Sequence, residues 1–402
     1  MRSSPGRLEF IALLAMLFAT IAFSIDAMLP ALPEIAAELT PDDLNRAQLV
    51  VTSFVLGMGL GTLFTGPLSD TFGRKPVILA GAVLYIAMSL VAAQEDTLEM
   101  LLVARLLQGL GAAGPRVVAL AIIRDLYAGR DMARIMSFIM MIFTLFPALA
   151  PSIGAVIIEL SSWRGIFIAF VLFATVASLW LMLRLPETLP RAQRRPFRLT
   201  TLWAAMRELL SHPVVRISIG VQALVFAMLF SMISTVQPIY DISFGRAESF
   251  PVWFGAIAVL AASGSVLNAS LVMRLGMRFL VTAMLAVQAV MAGITLLAFA
   301  GGVSGTPAFA VFLVWQLAVF FQMGLIVGNV NAIAMEPVGH IAGLAASVIG
   351  AIATVMAVII AIPTGLMFDG TPLPLAAGIF VEAVLALLLM RYLARIEAAL
   401  PV

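Results

Sequence analysis

Twelve times along this chain a run dominated by apolar residues reaches the length of a membrane-crossing helix, and no other feature limits its fold so severely. A helix needs about 20 such residues to cross hydrocarbon about 30 Å thick. The runs are Phe10–Pro30, Ala47–Leu68, Val77–Ala93, Leu98–Ile123, Ile135–Ile158 and Gly165–Leu185, then Val214–Val236, Pro251–Val272, Phe279–Ala300, Ala308–Ala332, Ile341–Phe368 and Pro372–Leu393. Composition closes the alternative. Only 11% of the 402 residues are charged, less than half of the roughly 25% with which soluble domains cover their surface. An all-α integral membrane protein is expected, and a soluble enzyme, a nucleic-acid binder and a disordered chain are excluded. The net charge of +2 reflects an arginine excess rather than a nucleic-acid partner. With no cysteine and two histidines, disulfides, iron–sulfur clusters and metal centres are not expected.

Lysine and arginine concentrate in cytoplasmic connections. With the N-terminus inside, the cytoplasmic set holds 18 of the 23 basic residues, among them Arg2, Arg74, Lys75, Arg191, Arg194, Arg195 and Arg198, whereas the external set holds Arg46, Arg164 and Arg246. Both termini are therefore expected in the cytoplasm. The first span has no small-x-small cleavage site and reads as a retained helix. The arginine-rich connection divides the spans six and six, giving an N-terminal bundle over 1–185, a linker over 186–212 and a C-terminal bundle over 213–402. FGRK after the second span is echoed faintly by RLGMR after the eighth, which suggests parallel halves related about the membrane normal. Two such bundles can rock about a midplane site. The sole lysine, Lys75, precedes proline, so no phosphate-binding loop is present. No Ser/His, paired-carboxylate or metal set can be assembled either, and neither an enzyme nor a bound cofactor is expected.

Ionisable groups inside a span are costly to bury and are functional hypotheses by default. Asp26 lies in the outer half of the first span, Arg105 and Arg116 in the fourth, and Glu382 in the last. Arg105 reaches a depth comparable with Asp26, so the two are placed to pair. Asp26 then reads as a carboxylate that exchanges a proton for a substrate, as half of a static ion pair, or as a group at the external surface. Eleven residues bring Arg116 to within about 20° of Arg105 and about 16 Å along the axis; Arg116 faces a cavity or snorkels to the surface. Glu382 reads as peripheral, since the last helix of a half lies at the edge of such bundles. The C-terminal half carries no charge inside spans seven to eleven; it offers amides, including Gln237, Asn268, Asn329 and Asn331, among aromatics such as Phe226 and Phe230. An amphipathic cavity lined by Asp26, Arg116, Phe226, Phe230, Gln237, Asn329 and Asn331 is expected, with helix packing the alternative for each. Glu9, Glu336, His212 and His340 fall at helix ends; the glutamates read as solvated and the histidines as caps or surface groups rather than proton relays.

The stretch Gly66-Pro67-Leu68-Ser69-Asp70-Thr71-Phe72-Gly73-Arg74-Lys75-Pro76 resembles the G-x-L-x-D-x-x-G-R-[KR] signature of the major facilitator superfamily. The resemblance implies a cytoplasmic gate in which Gly66, Asp70, Gly73, Arg74 and Lys75 lock helix ends together and part on switching. Arg105-Leu106-Leu107-Gln108-Gly109 resembles the R-x-x-Q-G pattern associated in that family with proton coupling. The segments from Ser24 to Pro33, Arg124 to Tyr127, Trp163 to Phe167 and Leu185 to Leu189 are together similar to drug:proton antiporters of the bicyclomycin-resistance type. One segment departs. The antiporter motif of the fifth helix ends G-P-x-x-G-G, whereas here it reads Ala150-Pro151-Ser152-Ile153-Gly154-Ala155, which keeps Pro151 and Gly154 as elements of a kink.

The resemblance implies a monomeric twelve-helix transporter of the bacterial inner membrane that exports amphipathic, drug-like molecules in exchange for protons, with Asp26 and Arg105 coupling the proton. A transporter for one metabolite, working in the export or the import direction, and a non-transporting receptor on the same scaffold are the alternatives.

Overall fold

The computed structural model describes residues 5–399, and Arg2 lies outside them. Those residues are helical, with no strand among them, and twelve segments are long and apolar enough to cross a membrane. The chain divides into two compact units, Met1–Leu199 and Thr200–Val402.

In the first unit, α1 (Arg7–Asp26) ends at the aspartate, and the span continues through a 3₁₀ turn at Leu29–Ala31 into α2 (Leu32–Leu39). Pro30 and Pro33 dictate the interruption: neither has an N–H to donate back into the preceding turn. The span is thus longer than its apolar core and is broken one residue past Asp26. It is followed by α3 (Leu49–Phe72), α4 (Arg74–Ala92), α5 (Leu98–Leu126), α6 (Gly129–Leu160) and α7 (Trp163–Arg184). α5 packs along both α3 and α4. The core at one end of the unit joins Phe10, Leu14, Ile78, Ile122, Ile135 and Leu181 from five helices. This end is basic, carrying Arg74, Lys75 and Arg184. The opposite end carries Glu34, Glu38 and Trp163.

The second unit begins with α8 (Leu199–Ser211), a short helix that buries Leu202, Ala205 and Leu209. Then come α9 (Pro213–Pro238), α10 (Phe250–Ala261), α11 (Ser263–Leu275), α12 (Met277–Ala300), α13 (Gly305–Met335), α14 (Ala342–Leu366) and α15 (Leu373–Ala399). α10 and α11 form one span interrupted at Ala262. α9 packs against α13, α14 and α15, and α15 also packs on α12. The echo noted in sequence has a structural counterpart. Gly73 and Gly276 both adopt positive φ, 106° and 81°, at the junction of two spans.

Candidate functional site

The interruption of the first span leaves the Ser24 carbonyl without a helical partner, and an arginine takes it up. Arg105, on α5, is fully buried. Its Nη2 donates to the Ser24 carbonyl at 3.0 Å, its Nε to the Val50 carbonyl on α3 at 3.0 Å, and its Nη1 to Gln108 Oε1 at 2.6 Å. The guanidinium lies over the Phe54 ring, 4.5 Å from its centroid. Gln108 Nε2 in turn donates to Ser89 Oγ at 2.6 Å, and Ser89 Oγ to the Tyr85 carbonyl at 2.7 Å. Tyr85 OH meets Ser24 Oγ at 2.6 Å. The circuit closes α1, α3, α4 and α5 around one cation. An arginine suits it because its planar fork presents donors in fixed directions that an ammonium cannot match.

Asp26 stands two residues beyond the carbonyl that Arg105 holds, yet the two do not form the ion pair that their depth suggests. Arg105 spends its donors on carbonyl and amide oxygens. Asp26 is 5% exposed and has no ion-pair partner among the described residues. Sequence spacing puts the two at one depth, but side-chain aim decides pairing, and the fork is spent on the Ser24 and Val50 carbonyls and on Gln108 Oε1. Pro151 and Gly154 belong to the same neighbourhood. α6 runs helically through Pro147 and Pro151, and a Cβ on Gly154 would stand 2.2 Å from the Ala27 carbonyl oxygen. Gly154 therefore lets α6 press directly on the loosened turn beside Asp26.

α2 is tied down at the acidic end. Glu34 accepts the Trp163 N–H at 3.1 Å, and so caps the start of α7, whose first N–H groups lack helical partners. Glu38 accepts from Trp163 Nε1 and from Arg164, both at 2.7 Å, and Arg164 also reaches Asp96 at 2.8 Å. The Trp163-Arg164 pair thus clamps the outer piece of the broken span, a role its sequence does not announce.

At the basic end, Gly66, Asp70, Gly73, Arg74 and Lys75 sit where α3 turns into α4. Arg74 binds Asp70, Ser69 Oγ at 2.8 Å and Asp125, at the end of α5, at 3.0 Å. Lys75 Nζ donates to the Met182 and Leu185 carbonyls, each at 2.7 Å, where a cation complements the C-terminus of α7. Glu187, in the segment after α7, completes this cluster. Its carboxylate accepts the Arg74 N–H at 2.9 Å, the Lys75 N–H at 3.1 Å and the Leu189 N–H at 3.0 Å, capping α4. Gly73 is required here twice over: by its φ of +106°, and because a Cβ would stand 2.6 Å from Glu187 Oε2.

The second unit repeats this arrangement around Arg278, which binds Glu336 after α13 at 2.7 Å and Glu397 near the end of α15 at 2.6 Å. Glu336 is therefore paired rather than merely solvated. So is Glu9, held by Arg184 and by Trp180 Nε1 at 3.2 Å. His340 meets Glu208 of α8 at 2.9 Å.

The remaining cavity candidates lie on α5, α9 and α13. Arg116 is exposed on α5 and has no partner among the described residues, unlike Arg105 on the same numerical stripe. Phe230, Gln237 and Asn329 are buried within the second unit. Phe226 and Asn331 are half-buried. Asn329 Nδ2 donates to Asn268 Oδ1 at 2.7 Å and to its own Leu325 carbonyl at 2.8 Å, fastening α13 to α11. Two residues apart on a helix, Asn329 and Asn331 lie about 200° apart and cannot share a face. Glu382, read as peripheral, is buried at 4% exposure on the inner stripe of α15.

A broken first span with a membrane-embedded carboxylate, a buried arginine beside it and a charged turn between the second and third spans together define a site with a family. The sequence profile of the Major Facilitator Superfamily matches residues 12–364. The chain belongs to that superfamily. Among its relatives is the uncharacterized MFS-type transporter YdgK of Bacillus subtilis, 30% identical over 94% of both chains. A bicyclomycin resistance protein homolog of Haemophilus influenzae is 29% identical over 88% of this chain and 87% of its own. The multidrug resistance protein MdtL of Salmonella heidelberg is 29% identical over 81% and 80%. A crystal structure of a D-xylose-proton symporter shares the fold with a TM-score of 0.73 at 18% identity, over 95% of this chain and 97% of that one. This facilitator-superfamily protein is a multi-pass membrane transporter.

Proposed function

We propose that this transporter exports amphipathic, drug-like small molecules in exchange for protons, by alternating access. The observation that carries the coupling is Asp26: a carboxylate at the break of a membrane span, nearly buried, with no counter-ion bound to it. Such a group is expensive to keep and gains its use from taking up and releasing a proton. The resistance functions in the names of two relatives support the direction and the substrate class. Arg105 acts on Asp26 through the backbone, fixing the Ser24 carbonyl and with it the turn that carries the carboxylate. The Arg74 knot, in this reading, is the cytoplasmic lock, both termini are cytoplasmic, and the protein works as a monomer in the bacterial inner membrane with no cofactor beyond the proton gradient.

The test uses purified protein in proteoliposomes with an entrapped pH indicator and a panel of cationic, neutral and anionic compounds. Wild type is expected to move protons against substrate. Asp26→Asn is expected to bind substrate yet move none, and full proton-coupled transport by that variant would sink the assignment.

A further inference from the structure

α5 carries two arginines on one stripe, and their surroundings are opposite. Arg105 is fully buried and spends its donors on three acceptors. Arg116, one stripe-length further along, is exposed and has no acceptor among the described residues. Its neighbours one turn away on the same face, Ala112 and Leu120, are apolar and offer it nothing to bind.

The packing of α5 fixes the side on which Arg116 stands. Arg105 reaches the Ser24 carbonyl of α1 at 3.0 Å. A Cβ on Gly109 would stand 2.0 Å from the Phe54 carbonyl oxygen of α3, and one on Gly111 would stand 2.5 Å from the Gly81 carbonyl oxygen of α4. At about 100° per residue, Arg116 projects within about 20° of both Arg105 and Gly109, on the side shared by α1 and α3, and about 140° from Gly111. The exposed apolar side chains that precede it on α5, Met100, Val103 and Leu110, lie about 120° or more away round the helix. Arg116 is therefore turned from the face of α5 suited to lipid. Its side chain meets open space, yet that space lies deep within the protein.

No carboxylate of the neighbouring helices is free to neutralise it. Leu17 of α1 and Pro115 of α5 line one small cavity, which sets Arg116 level with Met16 of the antiparallel α1; Asp26 is then about 15 Å away along the axis, and Glu9 is held by Arg184. A Cβ on Gly61 of α3 would touch Ala113 at 2.8 Å, so Asp70 lies about 9 Å off. Asp70 is bound to Arg74, as is Asp125 of α5. α4 has no carboxylate, and α6 carries Asp131 and Glu159 in its end turns. These axial offsets are the least separations the groups can have. A guanidinium kept inside a span without a counter-ion is costly, and a fork of N–H donors facing open space suits a planar acidic group from outside the chain.

We propose that Arg116 is a substrate-binding residue that takes the carboxylate of an amphipathic organic anion, so that this transporter exports anionic compounds in preference to cationic ones. The proposal rests on the export reading above and names the substrate class for it.

The experiment compares a naphthalene carboxylate, its amide and naphthylmethylammonium as substrates of the full-length protein in proteoliposomes. Wild type is expected to carry the carboxylate fastest. The chain has no cysteine, so Arg116→Cys introduces its one thiol. That variant is expected to lose carboxylate flux by about 10-fold to 100-fold, the worth of a charge-assisted hydrogen bond. Reaction with aminoethyl methanethiosulfonate, which attaches an ammonium, is expected to restore it, and the neutral methyl reagent is not. In parallel, wild type in detergent is treated with the arginine reagent phenylglyoxal, and modification of Arg116 is followed by peptide mass spectrometry; the carboxylate is expected to slow it and the ammonium compound is not. This protection assay needs no variant and decides the matter should Arg116→Cys fail to fold. A wild type that prefers the ammonium compound, wild-type carboxylate flux in unmodified Arg116→Cys, restoration by the methyl reagent, or equal modification with and without the carboxylate overturns the proposal. Protection by the carboxylate with no flux of any compound supports the site and overturns the export reading instead.

Discussion

Arg105→Lys separates charge from geometry. The substitution keeps a cation at the same position of α5 but exchanges a planar fork for a single ammonium on a shorter reach. Arg105 holds three acceptors on three helices: the Ser24 carbonyl, the Val50 carbonyl and Gln108 Oε1. Lysine reaches one of them and forfeits two charge-assisted hydrogen bonds, and hydrogen bonds to a charged donor contribute about 1.5–3 kcal/mol each. The expected loss is about 3–5 kcal/mol after the retained attraction to Phe54 is counted, or a fall in melting midpoint on the order of 10 °C for a unit of this size. Melting is followed by fluorescence-detected size exclusion after heating, and transport by the proteoliposome assay. Were Arg105 needed only as a charge near Asp26, the lysine variant would transport normally and melt with the wild type. That result refutes the carbonyl-collecting role; loss of both stability and coupled transport supports it.

Glu187→Ala removes a cap that holds the first two N–H groups of α4 and is expected to cost about 1–2 kcal/mol, with Glu187→Gln intermediate; equal melting of all three proteins contradicts the cap. Gly154→Ala places a methyl group 2.2 Å from the Ala27 carbonyl oxygen and is expected to cost about 1–3 kcal/mol through forced displacement, with coupled transport falling because the displaced turn carries Asp26. Normal transport by that variant shows that α6 and the turn move independently.

The sequence made the spans and the charged turn legible because hydropathy and a contiguous motif both survive being read along the chain. What escaped it was every interaction whose second partner is backbone or lies far away. The acceptors of Arg105 include two carbonyls, which carry no signature of their own. Glu187 caps a helix that begins 113 positions earlier. The break after Asp26 and the continuation beyond it could be suspected from the sequence around Pro30 and Pro33, but not the clamp by Trp163. Glu382 escapes a reading along the chain for a different reason: order places its helix at the edge of a bundle, whereas the buried stripe Leu375, Ile379, Glu382, Ala383 and Ala386 shows which face of α15 is turned inward.

The closed circuit around Arg105 also bears on how the two units tolerate change. In the first, Ser24, Tyr85, Ser89, Arg105 and Gln108 form a closed circuit, so altering any member strands its neighbours and a viable change needs several substitutions at once. In the second, groups such as Gln222, Ser231 and Gln288 answer to no protein partner, and replacing one strands nothing. The second unit is therefore expected to accept single substitutions at these positions, whereas each change within the circuit of the first disturbs several helices at once.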